Sequence, residues 1–166
     1  MESNKFNWCL GLLRLFMGLV FLWAFLDKLF GLGFATSPDK SWLLGNSPTS
    51  GFLEFGVHGP LAGFFNGLSG ITTVDWLFML GLLFIGATLT LGILTRLGSL
   101  AGILLLALMY LAVGLPPENN PFIDEHLIYI LVMALFLLAD SGRYFGFGNA
   151  WSRTSLVQKF KILSAL

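Results

Sequence analysis

The chain has 166 residues, of which 56% are apolar and 11% charged, with zero formal net charge and a mean hydropathy of +0.83. A soluble domain of this size has too high a surface-to-volume ratio to hide so much apolar surface, whereas a bilayer accepts it. Zero net charge gives no electrostatic footprint for nucleic acid, and a single cysteine, Cys9, excludes an intramolecular disulfide, a CxxC redox pair and a four-cysteine metal or iron–sulfur site within one chain.

Four apolar segments approach the length needed to cross a bilayer, about 20 residues each. The first is 8–29. Lys5 ahead of an apolar run resembles a signal peptide, but the run is long and Asp27-Lys28-Leu29 follows it in place of a small-residue cleavage site. It therefore reads as a retained anchor. Arg14 lies inside this segment, about two turns from its start. A charge there costs roughly 2.5–3.5 kcal/mol on insertion scales, so it should face other helices and have a partner. Gly11, Arg14, Gly18 and Lys28 share one helical face, and the glycines permit close approach. Asp140 is the best-placed acid, giving an expected Arg14–Asp140 ion pair between the first and fourth helices; snorkelling of Arg14 to the headgroups is the alternative.

Residues 31–73 are too long for a simple connection and too apolar for a flexible linker. Phe34, Trp42, Phe52, Phe55, Phe64 and Phe65 sit among glycines and prolines. Short interfacial helices are predicted at 49–57 and 60–68, forming an ordered cap over one mouth of the bundle. His58 is consistent with turn chemistry before the second of them.

The second and third segments, 74–94 and 97–115, are separated only by Thr95-Arg96, which predicts an antiparallel hairpin. Gly98 and Gly102 give a GxxxG spacing on the third. The fourth, 121–139, is predicted to start with Asn120 as N-cap and Pro121 in the first turn, giving a length of ~28 Å. The tail, 149–166, mixes Arg153, Lys159 and Lys161 with Trp151, Val157, Phe160 and Leu163, and reads as an amphipathic helix on an anionic leaflet. The predicted fold is all-α: an antiparallel four-transmembrane-helix bundle forming one domain, capped between helices one and two. Placing both termini and Arg96 inside puts Lys5, Arg14, Arg96, Arg143, Arg153, Lys159 and Lys161 on the cytoplasmic side, in accord with the positive-inside rule. The acids Asp27, Asp39, Glu54, Asp75, Glu118, Asp124 and Glu125 then lie outside.

The chemistry-bearing cluster is Asp124-Glu125-His126. The helix macrodipole alone accounts for acids in a first turn, but not for His126, the only imidazole in a predicted helix of the bundle. Phe122, His126, Tyr129 and Met133 share a face. His126 and Tyr129 are placed to hydrogen-bond a quinone carbonyl, with Asp124 and Glu125 passing protons to the aqueous phase. Lys28 is one of two basic groups on that side able to meet an anion, although an Asp27–Lys28 ion pair is the simpler account of it. No phosphate loop or nucleophile motif appears, and no bound metal, haem or iron–sulfur cluster is expected.

Three stretches resemble the DoxX/DoxD-like membrane protein family: Leu13-Arg14-Leu15-Phe16-Met17-Gly18 continuing to Asp27-Lys28-Leu29; Gly92-Ile93-Leu94-Thr95-Arg96-Leu97-Gly98; and Asn120-Pro121-Phe122-Ile123-Asp124-Glu125-His126-Leu127-Ile128-Tyr129. The likeness covers roughly residues 10–148, and the third stretch is the most specific, pointing to the DoxD branch. The resemblance implies a four-helix bundle in the prokaryotic plasma membrane. It also implies a subunit of a thiosulfate:quinone oxidoreductase, with quinone as mobile acceptor and a second, small subunit. The sequence leaves two other readings open: a scaffold anchoring a soluble redox protein through Arg96 and the basic tail, and a small-molecule carrier. A homodimer is left open as well.

Overall fold

The computed structural model describes residues 2–113, 117, 120–139 and 141–160, and every regular element among them is helical. Helix α1 runs Glu2–Phe30, α2 Ala62–Asn66, α3 Thr72–Leu91, α4 Thr95–Val113, α5 Glu125–Leu138, α6 Gly148–Ser152 and α7 Ser155–Lys159. Among the described residues, three helical stretches are long and apolar enough to cross a membrane: Lys5–Phe30, Thr72–Leu91 and Thr95–Val113. They mark a membrane-associated protein. Their outward faces agree, since Phe16, Leu77 and Leu104 are each more than 60% exposed, a pattern suited to lipid and not to water.

The strongest helix pairings run α1–α3, α3–α4 and α4–α5. The core between them contains Met17, Phe21, Met79, Ile85, Leu89, Met133 and Phe136. Small residues set the spacing. A Cβ on Gly18 would lie 2.5 Å from the Thr90 nitrogen, and one on Gly86 would lie 2.6 Å from the Leu22 nitrogen, so α1 and α3 approach backbone to backbone. The two glycines of the GxxxG spacing serve different neighbours: Gly98 abuts Thr88 of α3, whereas Gly102 faces the Met133 side chain of α5.

Three boundaries differ from the sequence expectation. The α3–α4 link is Gly92-Ile93-Leu94, and Thr95 and Arg96 already belong to α4. Gly92 adopts the left-handed conformation (φ 70°) and its N–H returns to the Thr88 carbonyl, the usual glycine-terminated helix end. Helix α5 begins at Glu125, so Asp124, not Asn120, is the N-cap. Its carboxylate accepts the Leu127 N–H, while Asn120 Oδ1 accepts from Phe122 and Ile123 N–H at 3.0 Å and holds Pro121 in a turn. At 14 residues α5 is only ~21 Å long, short of a full crossing by itself. The tail is two short helices, α6 and α7, broken at Arg153-Thr154; Lys161 and Leu163 lie outside the described residues.

Residues 31–71 fold back on the helix ends through local turns. The predicted helices there are shorter than expected: a π-helical turn at Phe52–Gly56 and α2. Leu53, Val57 and Phe65 of this segment bury against Ala112 of α4, and the His58 N–H donates to the Ala112 carbonyl at 3.1 Å.

Candidate functional site

The N-terminus of α5 holds the Asp124–Glu125–His126 group. Asp124 is used twice: Oδ1 caps the helix by accepting the Leu127 N–H at 3.2 Å, and Oδ2 lies 2.7 Å from His126 Nδ1. The His126 side chain is largely buried and Glu125 is exposed. A carboxylate on Nδ1 fixes the Nδ1–H tautomer and the ring's orientation, leaving Nε2 as the atom that accepts a proton and, once protonated, can donate it. One ligand atom from each of the three residues falls within 4.8 Å of the others. Both Asp124 oxygens have protein partners, the Leu127 N–H and His126 Nδ1. Tyr129, half-buried, packs against the core one turn further along α5.

Lys28 is elsewhere. It lines an apolar cavity of about 500 Å3 whose walls include none of Asp124, Glu125, His126 and Tyr129. The cavity lies between α3, α4 and the segment 48–68, with Phe52, Phe78, Leu104 and Leu108 among its walls. The Lys28 ammonium sits 5.8 Å from the Phe78 ring centroid, within cation–π range. The expected Asp27–Lys28 ion pair is not what holds Asp27. That carboxylate, 2% exposed, accepts the Phe34 N–H at 3.2 Å and the Ala35 N–H at 3.0 Å, and so fastens the turn after α1.

Arg14 is fully buried, and every N–H of its guanidinium meets a backbone carbonyl. Nε donates to Ser141 at 3.2 Å, one terminal nitrogen to Leu89 and Thr90, and the other to Tyr144 at 3.0 Å and Phe145 at 2.9 Å. The Leu89 and Thr90 carbonyls belong to the last turn of α3, where the helix dipole is negative. The expected partner Asp140 lies outside the described residues.

Sequence reasoning counted Asp75 only as one of several acids. In the structure it is buried and joins α3 to the preceding segment, its Oδ1 accepting from the Ser47 hydroxyl at 2.7 Å and the Thr49 hydroxyl at 2.5 Å. The available signal was the hydroxyl-rich run Ser47-Pro48-Thr49-Ser50, which can solvate a carboxylate that has left water. Outside the helices, Asp39 is held below the ordinary carboxylate range, first by the Ser37 hydroxyl and then by its own backbone N–H.

Comparison with known proteins finds no match: no family model, no curated protein and no solved structure matches this chain.

Proposed function

We propose that the protein is a multi-pass subunit of a quinone-linked oxidoreductase in the prokaryotic plasma membrane, of the DoxX/DoxD-like kind. In this reading α5, with its flanking residues, completes a four-helix bundle. Both termini are cytoplasmic, and residues 31–71 cap the outer face. The observation that carries the reading is the Asp124–His126 contact of 2.7 Å at the start of α5. It presents an oriented imidazole beside an acid-rich helix end. Quinone reduction takes up two protons with two electrons, and a buried imidazole backed by a carboxylate is suited to hand a proton to a carbonyl oxygen. Glu125, exposed next to it, would connect the pair to water. The donor implied by the family resemblance is thiosulfate, with a second subunit to receive it.

The test is thiosulfate-dependent reduction of a short-chain quinone by the purified protein, alone and with membrane extract added. His126→Ala should lower the rate by roughly 10²–10⁴-fold, the usual contribution of a positioned acid–base group, while the protein keeps its helical content. An unchanged rate in a folded His126→Ala protein removes the imidazole from the mechanism.

A further inference from the structure

Three of the charged groups buried in this protein are saturated by partners of its own. Arg14 has five carbonyls, Asp27 two backbone N–H groups and Asp75 two hydroxyls. Lys28 is different. It is half-buried, it lines the 500 Å3 cavity, and no carboxylate among the described residues forms an ion pair with it. Asp27 next to it offsets part of the charge, but its oxygens are turned to the backbone of Phe34 and Ala35. Snorkelling to the headgroups explains a lysine near the end of a membrane helix. It does not explain a lysine set in an apolar groove that opens to the lipid side at Leu77 and Leu104. There the ammonium meets the Phe78 ring but no counter-ion among the described residues, an unfavourable setting for a charge.

We propose that the cavity binds a single-chain amphiphile with a carboxylate head, of fatty-acid chemistry, its head against Lys28 and its chain between α3 and α4. The walls suit a hydrocarbon chain: Leu77, Phe78, Leu104, Leu105 and Leu108 offer no hydrogen-bonding side chain. Thr49, the hydroxyl in the lining, donates to Asp75. Size argues for one chain. A methylene takes about the volume of a liquid water, ~30 Å3, so the cavity holds on the order of sixteen, about one long acyl chain. A short carboxylate would satisfy Lys28 but stay in water and forgo the walls. A long chain reaches the site by way of the bilayer, where lipid tails are as apolar as the walls, so its preference for the site comes from the head on Lys28. A neutral long-chain molecule would fill the walls but leave the ammonium unpaired. The site is separate from the Asp124–His126 pair and does not depend on the redox reading.

The experiment is equilibrium binding of radiolabelled palmitate and hexadecanol to the full chain in phosphatidylcholine nanodiscs. The wild type should bind palmitate saturably, near one per chain, and at least tenfold more tightly than hexadecanol. Lys28→Met should erase that preference and leave hexadecanol binding in place. Lys28→Arg should keep it. Ala101→Phe, which fills the cavity from α4, should weaken both ligands tenfold or more. Circular dichroism and monodispersity confirm that each variant is folded; if Lys28→Met aggregates, the Arg and Phe variants carry the test. The proposal is overturned by equal affinity for the two probes, by a preference that survives Lys28→Met, by binding indifferent to Ala101→Phe, or by uptake that never saturates, which is partition into bulk lipid.

Discussion

Arg14 and Lys28 stand on the same face of α1, fourteen residues and therefore ~21 Å apart, yet the protein treats the two charges in opposite ways. Around Arg14 the chain converges from three directions: the last turn of α3, the turn at Ser141 and the backbone of Tyr144 and Phe145. Around Lys28 it recedes and leaves a cavity. A guanidinium with five donors in a rigid plane can organise five carbonyls. An ammonium on a flexible stem, set against apolar walls, meets the Phe78 ring and keeps its N–H donors for something else. The difference teaches how to sort buried charges in a membrane protein: one with all its hydrogen bonds made internally is architecture, and one without them marks a place where a ligand fits.

The comparison breaks most readily at Arg14. Arg14→Leu strips the cation from five carbonyls packed away from water, and each buried acceptor left unpaired costs about 1–3 kcal/mol. Carbonyls already bonded within a helix lose less, so the expected total is a destabilisation of at least about 3 kcal/mol. Thermal unfolding in detergent should show a large fall in Tm, and Arg14→Lys should recover only part of it because three donors cannot replace the fork of five. A wild-type Tm in Arg14→Leu would mean that the carbonyl cage is incidental. The same substitution at Lys28 should leave Tm nearly unchanged.

Two smaller effects sharpen the contrast from either end. Asp75→Ala removes the acceptor of the Ser47 and Thr49 hydroxyls and should loosen the segment that roofs the cavity by roughly 2–3 kcal/mol, since hydrogen bonds to a charged group are worth about 1.5–3 kcal/mol. Limited proteolysis should cut within residues 45–70 faster than in the wild type; equal cutting rates would show that apolar packing alone holds the roof. At the opposite end, Gly92→Ala places a Cβ at a left-handed position, 2.9 Å from the Gly142 carbonyl oxygen and 3.2 Å from Arg14 Cζ. A non-glycine residue in that conformation costs roughly 1–2 kcal/mol before any clash is counted. A Tm loss of intermediate size is expected, and only the part due to the contact with Arg14 should vanish in an Arg14→Leu background, while the cost of the left-handed backbone remains.

The long helices were legible because their signal is compositional: twenty apolar residues in a row admit few other readings. The importance of Arg14 was legible for the same reason, as a charge where none is tolerated unpaired. Its partners were not, because backbone carbonyls carry no residue identity and an acid at 140 looks like the natural counter-ion. The start of α5 was misplaced because Asn120 and Asp124 are equally good caps in sequence; the turn that Asn120 makes with Phe122 and Ile123 decides between them. Of the candidate site, Asp124, Glu125 and His126 are adjacent in sequence and so were visible together, whereas the separation of Lys28 from them depends on how α1 packs against α3. The cavity was invisible, since it is made by what residues 48–68 leave uncovered.

Asp124 is where structural and chemical roles meet in one side chain, and it gives the smallest stability effect of the four. Like Arg14 it is satisfied within the protein, one oxygen on the Leu127 N–H and the other on His126; like Lys28 it stands beside a group with an atom left to offer. Asp124→Ala removes a helix cap, worth about 1 kcal/mol, and frees the imidazole to turn. Asp124→Asn can still cap the helix and still accept from Nδ1 through its amide oxygen, but it no longer balances a charge on the ring. If the pair is architecture alone, Asn should match the wild type in both Tm and quinone reduction, and Ala should lose only the cap. If the carboxylate tunes the imidazole, Asn should keep the Tm and still lose most of the rate, because the two variants then differ in stability but agree in chemistry. The separation of Tm from rate in Asp124→Asn is thus what distinguishes an oriented acid–base pair from a well-made helix end.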